Sequence, residues 1–508
     1  MSKPTIRVSA PEYRDRFLEA HDVAEKLKGK TVRGAALTSG AQAARFVIRF
    51  GSTAVLARLL TPKDYGLVAM AAVVTGFVGM FKDVGLTAAT VQRKDITHRQ
   101  VSMLFWINLL LGCVMALVLM AISPAVAGFY REPRLIAITR VLGVSFVFSG
   151  LTLQHQALLR RRMQFGTLAM LEIASSIFGV AIGIVMATLG CGYWSLVGMT
   201  VGATAANAAG VWLVVPWKPG PPRRGSGTRP LLKFGSNLFV MDILGFFARQ
   251  TDMFLIGRVW GPVPLAFYEK GFNLLMQPLW QINAPLGAVI EPALARVQTD
   301  PARLRRYFLS ALEIVCGISL PLVVFVAIFA REIISLLLGP AWMDCVPIFR
   351  FLAPGAAVGV MMYSWGWLVI ALGQGRKYWQ TGLASALVII ASFIIGLPYG
   401  AKGVAAGYSC AILLLVFPTW WYITKDTPVS VADVIRSYVP PIVACIPATG
   451  IGVFVNQVNL PSVSHWLVTL AAAASFGVIY AMVLLVGFKR LRFYRNIIRE
   501  LRLAVMNV

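Results

Sequence analysis

About fourteen long apolar segments run through this chain, and they constrain its fold more than any other feature. Each is close to the roughly 20 residues that a helix needs to cross a bilayer, and none alternates as a barrel strand would. Because 58% of the 508 residues are hydrophobic and 13% are charged, a soluble fold could not bury them. We therefore predict an all-α polytopic membrane protein with spans at 34–58, 66–81, 101–128, 135–157, 168–189, 194–215, 231–257, 267–290, 308–330, 346–372, 378–398, 403–423, 437–456 and 466–488.

The apolar pattern stops in mid-chain at Pro216–Pro230, where the sequence reads PWKPGPPRRGSGTRP. Pro fixes φ and removes a backbone donor, and Gly adds backbone entropy, so this run is not expected to form a helix. About six apolar segments lie on each side of it. The predicted organisation is a cytoplasmic N-terminal segment 1–30, a six-helix lobe 31–216, a cytoplasmic basic linker 217–230, a second six-helix lobe 231–425, two additional transmembrane helices 426–488 and a cytoplasmic basic tail 489–508.

The two halves share a short motif, which consists of an aliphatic residue, a small residue and Arg, followed by Pro and Tyr. The matching positions are 56–58, Pro62 and Tyr65 in the first half, and 256–258, Pro262 and Tyr268 in the second. Six spans per half is an even number, so both halves enter the membrane in the same sense and form a parallel repeat. Such repeats commonly place the substrate between them, so we expect a central cavity between the halves.

The distribution of Lys and Arg predicts the orientation in the membrane. Arg residues cluster at 160–162 and in the linker around Arg223, whereas the loop 190–193 carries no Lys or Arg. Cytoplasmic loops carry an excess of basic residues, so both termini and the linker are expected in the cytoplasm, with Gly261 and Asn459 on the outer side. Labelling of single cysteines from outside the cell would test this, and reaction at position 223 would contradict it. The formal net charge of +26 thus reflects topology rather than nucleic-acid binding.

The Cys and His residues do not indicate a metal site or a disulfide framework. The six Cys are scattered, mostly within apolar segments, and no C-x-x-C motif or Cys/His cluster occurs. The nucleotide-binding pattern G-x-x-x-x-G-K-S/T is also missing from the sequence, so direct use of ATP is not expected. We expect no metal and no cofactor.

The first span carries two arginines on one helix face. Arg45 and Arg49 follow Gln42 at helical steps, and Thr38 and Ser52 continue the stripe. An Arg at the centre of a spanning helix costs about 2.5–3.5 kcal/mol, so it rarely faces lipid. One interpretation is the cationic wall of a water-filled cavity, and the other is pairing with carboxylates of neighbouring helices. The first is favoured, because two positive charges on one face are difficult to neutralise by packing alone.

The seventh span carries charges of both signs on one face. Asp242, Gly245, Arg249 and Asp252 follow one another at steps of three, four and three. Arg249 and Asp252 are close enough to form an ion pair along the helix, or they could act as a substrate or proton site. Asp242 has no adjacent partner in its own helix, so it is the better candidate for coupling transport to protons or a cation.

The eighth span adds three amides at helical steps, Asn273, Gln277 and Gln281. Amides on one face can bind sugar hydroxyls, or they can form hydrogen bonds between helices, and both interpretations stay open. Single carboxylates near helix ends, such as Glu172 and Glu313, are expected to pair or to reach the interface for structural reasons.

Five stretches carry a family resemblance, namely LARLLTPKDYGLVAMAAVV from Leu56, FKDVGLTAATVQRKDIT from Phe81, VSMLFWINLLLG from Val101, TDMFLIGRVWGPVPLAFYEKGFNLL from Thr251 and LLLGPAWMDCVPIFRFLAP from Leu336. With them, residues 31–425 resemble the polysaccharide transporter (Wzx-type flippase) family of the multidrug/oligosaccharidyl-lipid/polysaccharide exporter superfamily. The motif residues of the family, most of which are expected to serve loop geometry, are Arg58, Pro62, Gly66, Asp83, Gly85, Asp252, Gly257 and Tyr268.

The resemblance implies a transporter of the bacterial inner membrane rather than an enzyme. Such a flippase would move undecaprenyl-pyrophosphate-linked oligosaccharide across the membrane for exopolysaccharide, capsule or O-antigen synthesis. It would use a proton or sodium gradient or the membrane potential, and it would work beside a polysaccharide polymerase and a chain-length regulator. On this hypothesis Asp242 and Asp252 are coupling candidates, and the candidate substrate contacts are Gln42, Arg45, Arg49, Arg249, Asn273, Gln277 and Gln281.

Three other functions fit the sequence less well. A cation-coupled multidrug exporter of the same superfamily would favour an acidic cavity, which the Arg residues of the first and seventh spans argue against. A membrane-embedded glycosyltransferase, polymerase or ligase needs a catalytic base or a large outer loop, and no predicted outer loop exceeds roughly twenty residues. A passive scaffold would not require Arg at membrane depth.

Overall fold

The computed structural model describes residues 27–82, 87, 90–91, 96–222, 245–247, 249–457, 465–488 and 490. Within these residues the protein is helical and contains no strand, which confirms the predicted fold class. Its helices are α1 (Leu27–Leu59), α2 (Pro62–Gly79), α3 (His98–Tyr130), α4 (Leu135–Arg161), α5 (Phe165–Thr188), α6 (Trp194–Val214), α7 (249–260), α8 (Pro262–Arg296), α9 (Pro301–Ile328), α10 (Ala330–Leu337), α11 (Cys345–Ala371), α12 (Gly375–Gly396), α13 (Gly400–Thr424), α14 (Val431–Gln457) and α15 (His465–Met482).

Local sequence determines where α2 and α3 begin. The hydroxyl oxygen of Thr61 accepts a hydrogen bond from the backbone N–H of Asp64 at 3.3 Å, and the Asp64 carboxylate accepts one from the backbone N–H of Thr61 at 3.0 Å. Pro62 occupies the first helical position, where its missing N–H costs nothing. Thr97 and Gln100 form the same reciprocal cap at the start of α3.

The helices form two compact units. The first contains Met1–Gln250 with Gly257–Pro262, and the second contains Thr251–Ile256 with Val263–Val508. Helices α1 to α6 therefore belong to the first unit, and α9 to α15 belong to the second. The predicted domain boundaries and the cavity between the halves stay predictions.

Small residues allow the helices of each unit to approach closely. In the first unit, a Cβ on Gly112 of α3 would lie 2.5 Å from the carbonyl oxygen of Phe146 on α4. In the second unit, a Cβ on Gly355 of α11 would lie 2.8 Å from the Cα of Ser409 on α13. The Gly355 N–H instead donates to the Ser409 hydroxyl at 2.9 Å. Close contact through small residues is the usual way in which membrane helices associate.

The start of the predicted linker packs onto α3. Trp217 is only 2% exposed, and its indole N–H donates to Nδ1 of His98 at 3.0 Å. The backbone N–H of Gly220 donates to the hydroxyl of Ser102 at 2.9 Å. The linker residues before position 223 are thus part of the packed first unit, and 223–230 lie outside the described residues.

Ion pairs connect the C-terminal part of the chain to α9. Arg305 of α9 donates from Nε and Nη2 to the two carboxylate oxygens of Asp433 on α14, at 2.9 and 2.6 Å. Glu313, also on α9, pairs with Arg490 at 3.0 Å. A two-point Arg–carboxylate contact fixes both distance and orientation, so the start of α14 is held firmly on the second unit.

Ten helical segments of the described chain are long and apolar enough to cross a membrane. They comprise α2 to α6, α9, α11, α14, α15 and the segment Gly375–Thr424, which contains both α12 and α13. The helices α1 and α8 are not among them, since they carry the polar stripes, and the predicted seventh span lies largely outside the described residues. The chain is a multi-pass membrane protein, and the count of about fourteen spans stays a prediction.

Candidate arginine site

The arginine stripe lies on one continuous helix, α1. Arg45 donates from Nη1 to Oε2 of Glu172 on α5, and the two side chains are 36% and 30% exposed. Arg49, one turn further along, is exposed, and its guanidinium has no hydrogen-bond or ion-pair partner in the described part of the chain. Arg45 therefore pairs with a carboxylate of a neighbouring helix, whereas the guanidinium of Arg49 remains available to bind an anion.

Glu172 also lies next to a polar network that the sequence analysis missed. The Ser175 hydroxyl donates to the backbone carbonyl of Glu172 at 3.1 Å and accepts from Nδ2 of Asn207 on α6 at 3.3 Å. The Asn207 carbonyl oxygen accepts from Nε2 of Gln156 on α4 at 2.9 Å. In the sequence, this network is visible only as isolated polar residues within apolar segments. Their spacing does not indicate which helices contact each other.

We call Gln42, Arg45, Arg49 and Glu172 the arginine site. Its two guanidinium groups and one carboxylate leave one positive charge in excess, and neither member of the ion pair is fully buried. A guanidinium binds phosphate or carboxylate through two parallel hydrogen bonds. The site can therefore bind an anion at Arg49 directly, and at Arg45 if the incoming anion replaces Glu172.

Asp252 bonds a residue of the next helix. Asp252 is 2% exposed, and its carboxylate accepts from the hydroxyl of Tyr268 on α8 at 2.8 Å and from the backbone N–H of Met253 at 2.7 Å. Arg249 is exposed and has no ion-pair partner within the described chain, so of the two alternatives for these residues the ion pair along α7 does not form in this structure. The reason is that the carboxylate turns inward to a buried hydroxyl. Asp242 lies outside the described residues.

The three amides of α8 are not equivalent. Nδ2 of Asn273 donates to Oε1 of Glu269 at 2.5 Å, and the other oxygen of Glu269 pairs with Lys270 at 3.0 Å. Gln277 is half-buried and Gln281 is exposed, and neither side chain has a hydrogen-bond partner among the described residues. Asn273 is thus occupied by its own helix, while Gln277 and Gln281 remain available to a ligand.

Among the described residues, no group of three His, Cys, Asp or Glu side chains could hold a metal ion. The six cysteines are free thiols.

A model of the family described as "Polysaccharide biosynthesis protein" matches residues 55–347, which is more than half of the chain. The chain belongs to this family. The membership confirms the resemblance inferred from the sequence motifs. Its relatives include the teichuronic acid biosynthesis protein TuaB of Bacillus subtilis, with 27% identity over 69% of this chain and 73% of the relative.

A second relative is the succinoglycan biosynthesis transport protein ExoT of Rhizobium meliloti, with 22% identity over 87% of this chain and 90% of the relative. Among solved structures, the lipid II flippase MurJ in an inward closed conformation superposes with a TM-score of 0.70. It has 14% identity and covers 90% of this chain and 99% of its own. The fold of this chain is thus shared with MurJ, and the family agrees with a transporter rather than an enzyme.

Several of the family motif residues hold the backbone in place. A Cβ on Gly66 would overlap the carbonyl group of Pro262, so the two backbones are in direct contact. The pair formed by Tyr268 and Asp252 links α8 to α7 in the second unit. These residues build helix junctions, whereas the arginine site lies outside the shared motifs.

Proposed function

We propose that this protein is a flippase that moves an undecaprenyl-pyrophosphate-linked oligosaccharide from the cytoplasmic to the periplasmic leaflet of a bacterial inner membrane. The observation that carries the proposal is the arginine site, where two guanidinium groups lie one turn apart and Arg49 has no partner in the described chain. Support comes from one relative named for succinoglycan biosynthesis transport and from a fold neighbour named as a lipid II flippase.

The chemistry of the substrate explains why a protein is needed. Moving an unpaired hydroxyl from water into hydrocarbon costs roughly 4–8 kcal/mol, so an oligosaccharide cannot cross lipid unaided. A polar route through the protein removes this cost, while the lipid tail can remain in the bilayer. The pyrophosphate is bound best by a cation that can donate two parallel hydrogen bonds to its oxygens. Arg has this geometry, whereas Lys acts as a point charge. Gln277, Gln281 and Gln42 are the amides that we assign to the sugar.

Glu172 has a defined role in this proposal. An unpaired Arg at membrane depth is costly, so the empty site needs a counter-ion for Arg45. Glu172 supplies it, and the partial exposure of both side chains allows an incoming anion to take its place. The pyrophosphate would then bind Arg45 and Arg49 together, and Glu172 would return to Arg45 when the substrate leaves.

The competing functions fit the site less well. The cationic substrates of a multidrug exporter would be repelled by the excess positive charge of the arginine site, and they would find no described carboxylate there that is free of a cation. A polymerase or ligase would need a general base near its reacting group. Glu172, the carboxylate of the arginine site, is already paired with Arg45.

The proposal is tested with the full-length protein in liposomes that contain lipid-linked oligosaccharide labelled in its sugar. We expect an impermeant glycosidase to release more label than from protein-free vesicles, because the protein exposes sugar from the inner leaflet. The same release with and without protein would contradict the proposal. Transport of a cationic drug in place of the glycolipid would support the exporter alternative.

The energy source is proposed to be a proton or sodium gradient acting through Asp242, together with the membrane potential. An inside-negative potential favours outward movement of negative charge by about 2.3 kcal/mol per charge per 100 mV. In the liposome assay, Asp242→Asn is expected to keep basal flipping but to lose its dependence on the gradient. Retention of gradient-dependent flipping at the wild-type rate would reject Asp242 and would leave Asp252 as the next variant to measure.

A further inference from the structure

A cavity lies at the turn between α13 and α14, far along the chain from the arginine site. Its volume is about 320 Å³. The residues that line it are Trp421, Thr424, Lys425, Thr427, Pro428, Val429, Ser430 and Val431. All of them belong to the second unit. Six predicted spans separate this turn from the cytoplasmic linker, so the turn is also expected at the cytoplasmic membrane surface.

Lys425 supplies a positive charge at this cavity, and this charge also acts on the carboxylate of the adjacent Asp426. Its ammonium lies 5.6 Å from the centre of the Trp421 ring, and it has no ion-pair partner within the described chain. The acids nearby have other partners, since Asp426 pairs with Lys377 at 2.7 Å and Asp433 pairs with Arg305. The hydrogen bond from Lys377 holds the pKa of the Asp426 carboxyl below its ordinary value, so Asp426 stays ionised and occupied.

Ser430 lines the cavity beside this charge. Its hydroxyl oxygen accepts from the backbone N–H of Asp433 at 3.2 Å, as part of the cap that begins α14. The Ser430 hydroxyl also forms a side-chain hydrogen bond with the Asp433 carboxylate, so it is occupied within the cap. The ammonium of Lys425 is therefore the group at this cavity that can bind the oxygens of a phosphate.

Exposed apolar faces lead away from the cavity on both helices. On α13, Leu414, Phe417 and Trp421 follow one another at helical steps and are exposed. On α14, Ile435 and Val439 are exposed at helical steps, and Ile446 continues the face two turns further on. Two apolar helix faces that begin at one cationic cavity are complementary to a diacyl lipid, since the faces can contact its acyl chains and the cavity can bind its anionic headgroup.

We infer that this cavity binds an anionic diacyl phospholipid, with its phosphate at Lys425 and its acyl chains along α13 and α14. Charge complementarity selects the lipid, because a zwitterionic headgroup would bring a second cation towards Lys425. The Trp421 ring at the same level is typical of residues that lie at a membrane–water boundary. The bound lipid would bridge the two helices on either side of the turn.

The test uses the full-length protein purified in a non-ionic detergent, with native mass spectrometry to count bound lipids. Phosphatidylglycerol is expected to bind more tightly than phosphatidylcholine of the same chain length, and Lys425→Ala is expected to weaken phosphatidylglycerol binding about tenfold. Lys425→Arg should retain it. The matched control is Lys402→Ala, which removes an exposed Lys near the opposite end of α13 and should leave binding unchanged.

Three results would overturn the inference. The first is equal binding of phosphatidylglycerol to the wild type and to Lys425→Ala. The second is equal binding of both lipids to the wild type. The third is displacement of the lipid by millimolar inorganic phosphate, since that would indicate a site for the free anion. If Lys425→Ala fails to fold, Lys425→Gln in the same assay keeps the apolar stem and removes only the charge.

Discussion

Replacing Arg49 by Ala is expected to lower flipping by roughly 100-fold or more, while the protein still folds and reaches the membrane. The guanidinium would bind the pyrophosphate through two charge-assisted hydrogen bonds, each of which contributes about 1.5–3 kcal/mol. Folding should be spared, because Arg49 is exposed and has no partner in the described chain. The measurement is the liposome assay with labelled glycolipid, combined with the melting temperature of the purified variant.

Arg45→Ala should also abolish flipping, although it leaves Glu172 without its cation. The double variant Arg45→Ala/Glu172→Ala removes both charges, so it is expected to fold normally and still not flip. Lys at position 45 or 49 should restore only part of the rate, because it returns the charge without the two-point geometry. The matched control is Arg160→Ala, which removes an exposed Arg at the end of α4 and should flip at the wild-type rate.

These variants also separate function from structure. If Arg49→Ala flips at the wild-type rate, the arginine site does not bind the substrate. If both single Ala variants misfold, and Lys restores everything, the arginines serve as structural counter-ions to helix carboxylates. In that case the proposed role of Glu172 as a displaceable counter-ion is wrong as well.

Gly66→Ala is expected to cause the largest loss of stability among the glycine substitutions in the first unit. The added Cβ would overlap the carbonyl group of Pro262, which is backbone and cannot move aside by changing a rotamer. Overpacking of a tight contact typically lowers the free energy of unfolding by about 1–3 kcal/mol. We expect the upper end of this range, because the atoms that the Cβ would meet belong to the backbone. We expect a clear fall in melting temperature and in the yield of monodisperse protein.

The control for this substitution is Gly128→Ala on α3. A Cβ at Gly128 meets nothing within 4 Å, and Ala is the better helix former by about 0.5–1 kcal/mol, so this variant should be neutral or slightly stabilised. The comparison isolates the contact with Pro262 from the general effect of adding a methyl group. Equal melting temperatures for the two variants would show that the backbone at Gly66 adapts without cost.

The sequence by itself determined the helices of this protein. Hydrophobic length is a local property, so the apolar segments predicted the helical parts of the described chain. Caps such as Thr61 with Asp64 are also local, and they explain the start of α2. Because a helix repeats every 3.6 residues, spacing alone placed Gln42, Arg45 and Arg49 on one face. The family followed from short motifs that the match over residues 55–347 supports.

Only the tertiary structure decided which polar groups meet. Glu172 lies 127 residues from Arg45, and no periodicity indicates that α5 presents it to α1. In the same way, Asp252 had a plausible partner one turn away in Arg249, but it bonds Tyr268 of the next helix. The physical reason is that side-chain pairing depends on how helices rotate and pack against each other. That packing is set by contacts between small and apolar residues distant in the chain, whereas helix formation needs only neighbours along it.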